Sequence, residues 1–137
     1  MLRAEDLMVG DYLTFTDVQN DSRCPKLKVV VIDGATNELL VSVDGDPTLD
    51  RIDIDDELCG IPITPEILEK NGFRKLVTYG TKKWLCDNFR LNVYDSRETW
   101  RFCADTNRNE DSVIYIRFVH ELQHCLKLCG IDKTIEL

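Results

Sequence analysis

The stretch Ile61-Pro62-Ile63-Thr64-Pro65-Glu66-Ile67-Leu68-Glu69-Lys70-Asn71-Gly72 decides how this chain is divided. Thr64 has a side-chain oxygen that can cap free backbone N–H groups. Pro65 brings its fixed φ to the first helical position, and Glu66 sits where the helix dipole favours negative charge. Ile67 and Leu68 supply apolar contacts, and Asn71-Gly72 ends the helix because glycine tolerates the left-handed conformation. These signals predict a two-turn helix over 65–71, and it separates two regions of different pattern.

Upstream, residues 3–8 read as a single helical turn leading into the turn signal Gly10-Asp11. Residues 12–15 have strand propensity. Residues 26–32 start by alternating and end as an apolar run, which predicts a strand that becomes more buried along its length. Residues 33–37 are the loop of a hairpin whose return strand is 39–43. Ile52 and Ile54 alternate with Arg51, Asp53 and Asp55, predicting a half-buried strand with an acidic outer face, and 58–63 adds one more strand. Short strands joined by tight turns predict a small SH3-like β-barrel over residues 1–60.

Downstream, strands are predicted at 75–79, 83–86, 89–94, 99–104 and 113–116, with turns at 95–97 and 106–109. Trp100, Phe102 and Ala104 alternate with Arg101 and Cys103, as an antiparallel sheet with one covered face requires. Residues 118–129 read as a longer helix stopped by Gly130, with Ile131 placed to close a Schellman motif. The tail, 134–137, reads as an edge strand. The fold class expected is therefore α+β, with the barrel over 1–60 followed by an α+β domain over 61–137, an antiparallel sheet carrying two helices.

The 137 residues are 43% hydrophobic and 31% charged, a globular mixture with no run long enough to span a membrane. No secretory leader opens the sequence, so the compartment expected is the cytoplasm and the six cysteines are expected as free thiols. The net charge of −8 is unevenly placed: residues 44–57 alone set Arg51 against seven carboxylates, while residues 58–137 carry twelve basic against eleven acidic side chains. The acidic front half disfavours contact with a phosphate backbone.

His120-Glu121-Leu122-Gln123-His124 matches the zinc-hydrolase pattern, in which two His at i and i+4 bind Zn²⁺ and Glu121 would act as general base. Two arguments oppose that reading. A catalytic zinc needs a third protein ligand, and these are the sole histidines. Advancing roughly 100° per residue, Phe118, Leu122, Cys125, Leu126 and Cys129 gather on one side, and both His lie roughly 160–200° from its middle. The expectation is an amphipathic helix with two surface His, with no metal and no cofactor.

Two further groups are interaction candidates. Asp53, Asp55, Asp56 and Glu57 offer oxygen ligands to a hard cation, though without an EF-hand pattern, and read otherwise as a solvated strand face or an acidic surface suited to a basic protein. Lys82, Lys83 and Trp84, with Arg90, Arg97 and Arg101 nearby, combine basic and aromatic residues as single-strand binders do, although a tryptophan there is more often core. No small-molecule substrate is evident.

With 61–73 and Tyr115–His124 quoted together, and Leu7-Met8-Val9-Gly10-Asp11 at the front, the chain resembles a set of uncharacterised small proteins of Bacteroides-type gut bacteria, often carried on prophages or mobile elements. They pair an IPLTPEILEKNGF-like segment with a YVHELQHxLxLCGI-like helix. In that pattern Gln stands at some positions of Glu121 and Asn at some of His124, which implies that the zinc motif is incidental. The resemblance implies no activity. The function expected is a non-enzymatic protein-interaction module acting on a protein partner. A minimal zinc hydrolase and a binder of single-stranded nucleic acid through residues 82–101 are the alternatives.

Overall fold

The computed structural model describes residues 2–16, 24–55, 57–86, 89–93, 99–104 and 113–137, the side chains at 78, 81, 89–93, 103, 104 and 113 excepted. Over these residues the chain is mixed α+β and divides into two units, Met1–Pro62 and Ile63–Leu137.

The first unit opens with a 3-10 turn, Ala4–Asp6, and continues through β1 (Tyr12–Phe15), β2 (Leu27–Asp33), β3 (Glu38–Val43), β4 (Leu49–Asp53) and β5 (Leu58–Gly60). The turn into β1 uses Gly10 at φ 97°, while the buried Asp11 carboxylate accepts the N–H of Met8 at 2.7 Å. All pairings are antiparallel, in the order β4-β3-β2-β1-β5. Among the described residues no pairing joins β4 to β5, and no closed barrel is found. Leu7, Leu13, Leu27, Val29, Leu39, Val41, Ile54 and Leu58 form its buried core.

β2 corrects one expectation. Its register shifts between Val29 and Val31, a bulge that inserts Val30 and moves the remainder of the strand to the other face. Val29 is 1% exposed but Val31 is 44% exposed, so the apolar run emerges from the core instead of sinking into it.

The second unit contains α1 (Pro65–Lys70), β6 (Arg74–Thr78), β7 (Thr81–Cys86), β8 (Phe89–Val93), β9 (Trp100–Ala104), β10 (Val113–Ile116) and α2 (Val119–Leu128). The five strands form an antiparallel meander in sequence order. Thr64 caps α1, its Oγ1 accepting the N–H of Ile67 at 3.3 Å. Both helices end in Schellman motifs. Phe73 and Gly72 donate to Leu68 and Glu69 carbonyls, and Ile131 and Gly130 donate to those of Leu126 and Lys127.

Residues 131–137 form no strand, contrary to expectation. Side-chain amides hold them instead. Gln123 Nε2 donates to the Lys133 carbonyl and its Oε1 accepts the Ile135 N–H, both at 2.7 Å. Asn71 brackets Glu136 in the same way, donating to its carbonyl and accepting its N–H, again at 2.7 Å. A carboxamide presents the same donor and acceptor as a peptide group, so it substitutes for a neighbouring strand. Ile135, between the two clamps, is 1% exposed.

Candidate functional site

The HExxH sequence begins at the second residue of α2, because Phe118 is the N-cap. That placement fixes the job of Glu121. It stands at the N3 position, and its Oε2 accepts the N–H groups of Arg117 at 2.6 Å and Phe118 at 3.0 Å. These are the donors a helix start leaves open, and a carboxylate there is favoured by the dipole. In a zinc hydrolase the corresponding oxygen must face a metal-bound water. Here it is committed to backbone.

His120 is not a surface residue, which corrects the expected rotation of α2. It is 4% exposed, stacked on Phe118 with ring centroids 5.7 Å apart and planes 7° from parallel. His124, half-buried, meets it edge to face at 5.8 Å. The buried arc of α2 runs from Cys125 through Leu122, Leu126, Val119 and Gln123 to His120, because the tail packs on the Gln123 side. Among the described residues no three His, Cys, Asp or Glu side chains gather to hold a metal.

The basic and aromatic group is divided by the sheet. Trp84 is 2% exposed, with the Lys75 ammonium 6.0 Å from its ring, so it is a core residue and cannot meet a partner. Successive strand residues alternate faces, so Lys83 lies opposite Trp84, and Lys82 on the Trp84 face. The register aligns Leu76, Lys83, Asn92, Arg101 and Tyr115 in one cross-strand row on the face away from Trp84. Arg74 and Arg90 fall in the next row of that same face. Leu76 is 47% and Tyr115 64% exposed, while Trp84, Trp100, Phe102 and Ile116 are buried on the other side. The division is not complete: Lys83 and Arg101 are half-buried on the first face, and Val77 and Ile114 are exposed on the Trp84 face.

Charge on these strands has a single sign. β6 to β10 contain six Lys or Arg and no Asp or Glu, although the unit they belong to is nearly neutral. Arg74, Tyr79 and Tyr115 are not among the sequence candidates. The missing signal is the pairing register, which no local pattern carries, although the lack of acidic residues within the strands is visible in the sequence. Arg97 lies outside the described residues.

Of the acidic candidates, Asp53, Asp55 and Glu57 are exposed, and Asp56 lies outside the described residues. Asp53 ends the edge strand β4 opposite Glu38, which pairs in turn with Asp33. Arg51 answers part of this charge at 3.0 Å from Glu38 Oε2. Hydrogen bonds from Thr36 and Ala35 hold the Asp33 carboxyl below its ordinary range. Asp55 Oδ1 accepts the Glu57 N–H, shaping the turn into β5.

Cys24, Cys59, Cys86, Cys125 and Cys129 are free thiols. Burial pushes Cys125 up to about 11, with Cys129 and Glu121 adding to the effect. Neither a family model, nor a curated protein, nor a solved structure matches the chain. No described helix is long and apolar enough to cross a membrane.

Proposed function

We propose that this chain is a non-enzymatic interaction module of the cytoplasm, of phage or mobile-element origin, that holds a macromolecular partner and makes or breaks no bond. The first unit acts as an SH3-like sheet, its β4-β3-β2-β1-β5 order being that of a five-stranded meander whose last strand returns beside the first. Its exposed carboxylates attract a basic protein partner.

The observation that carries this reading is the engagement of Glu121 by the Arg117 and Phe118 N–H groups. The residue that would have to deprotonate water is spent on starting a helix. What remains on the surface is charge, sorted into an acidic first unit and a basic sheet in the second.

Zinc titration of the metal-stripped full chain, followed by a peptide-cleavage assay, tests it. The expected result is no stoichiometric zinc and no cleavage. One zinc per chain, with cleavage abolished by Glu121→Gln, overturns the reading.

A further inference from the structure

The outer edge of β4 deepens that reading and rests on it, because it specifies how a basic partner is held. We infer that this edge binds an extended basic segment of a protein partner by strand addition. Among the described residues β4 pairs with β3 alone, and four of its five residues are exposed. The Ile54 N–H donates to the Asn37 carbonyl, just beyond the pair Asp53–Glu38, which fixes the groups of β4 that turn towards β3. They are those of Asp50 and Ile52. The N–H and C=O groups of Leu49, Arg51 and Asp53 point away from the sheet, and among the described residues nothing bonds them. Native edges are blunted by proline, bulges or charge. β4 has only charge, and charge selects its partner.

Asp53, Glu38 and Asp33 stand side by side in one cross-strand row, and Asp50 adds a carboxylate on the opposite face. Among the described residues only Arg51 forms an ion pair here, with Glu38 at 3.0 Å. Like charges directly opposite one another destabilise a sheet, so the row gains when a Lys or Arg joins it. Beside it, Val31, 44% exposed, lines a hollow with Leu40 and Arg51, and Leu49 is 43% exposed at the start of β4. A second copy paired antiparallel about Arg51 would set that cation against itself. The occupant favoured is a protein segment with cations opposite Asp53 and Asp50 and apolar residues opposite Ile52 and Leu49, its main chain completing the ladder.

Fluorescence anisotropy of a labelled peptide carrying Lys-Val-Thr-Lys-Val, with the full chain, tests the inference. Antiparallel to β4, those residues fall against Asp53, Ile52, Arg51, Asp50 and Leu49 in turn. Saturable binding is expected at about 50 mM NaCl, weakening severalfold by about 200 mM. N-methylation of the Thr and the final Val removes two donors aimed at β4 and should weaken binding about tenfold or more. Arg51→Pro should weaken it severalfold although it makes the edge more negative, because an outward N–H is lost. The ladder to β3 does not use that N–H, and proline is accepted at such edge positions. Arg51→Gln, which keeps the N–H, should strengthen binding about twofold. Asp50→Asn with Asp53→Asn should weaken it about fivefold.

Absence of binding at low salt overturns the inference. Binding indifferent to N-methylation and to Arg51→Pro overturns it too: the partner is then held by charge alone, and the interaction reading stands. A chain that self-associates until Arg51→Pro is introduced has a second copy on the edge, and the inference falls. Zinc-dependent cleavage would sink the interaction reading instead, whatever the peptide does.

Discussion

Glu121 accepts the backbone N–H of Phe118 at 3.0 Å, so the central acid of an apparent zinc motif is the first-turn cap of its own helix. Removing such a cap costs about 0.5–2 kcal/mol, and Gln at the same position can keep part of it. Glu121→Ala should therefore lower stability by about 1 kcal/mol and Glu121→Gln by less. Urea unfolding measures both. No loss for Glu121→Ala would mean that the cap contributes nothing.

Gln123 gives a larger expected effect. Its amide satisfies the Lys133 carbonyl and the buried Ile135 N–H, and truncation leaves both without a partner. Each stranded buried group costs about 1–3 kcal/mol. Gln123→Ala should lower stability by about 2–4 kcal/mol. Amide exchange at Ile135 and Glu136 should accelerate together, because the tail is held as one segment.

Both helices are legible in the sequence because their signals are local: Thr64-Pro65-Glu66, Asn71-Gly72 and Cys129-Gly130-Ile131 each specify a backbone conformation by themselves. The rotation of α2 is not legible. An apolar stripe locates one buried side, but the Gln123 side is closed by a tail held through backbone bonds, which are indifferent to the hydropathy of the residues they hold. The bulge at Val30 is hidden for a similar reason, since an unbroken Val-Val-Val run does not reveal where a register shift falls. The sorting of residues onto the two faces of the second sheet is half-legible. The alternation at Trp100–Ala104 separates the two faces, but only the pairing of five strands brings Arg74, Lys83 and Tyr115 onto one.

Cys125 makes stability fall in alkali. An exposed thiol ionises near 8.5, and this one is held up to about 11 by burial. Between those values the unfolded chain has released a proton that the folded chain still binds, so stability declines as pH rises through that window. Cys125→Ala should remove this part of the decline. At neutral pH iodoacetamide should modify the exposed Cys129 well before Cys125. Equal rates for the two thiols in the native protein would contradict the assignment.

Tyr79 occupies a left-handed turn position at a cost that Asn would not incur. Tyr79→Asn should raise stability by roughly 0.5–1 kcal/mol. Thermal unfolding measures the gain. A loss instead would mean that the ring packs where it is now fully exposed.

Calorimetric titration of the metal-stripped full chain with zinc tests the central claim most directly. The expected result is no stoichiometric binding, because Glu121 is engaged by the Arg117 and Phe118 N–H groups. One zinc per chain, lost in His120→Ala and in His124→Ala, would contradict it.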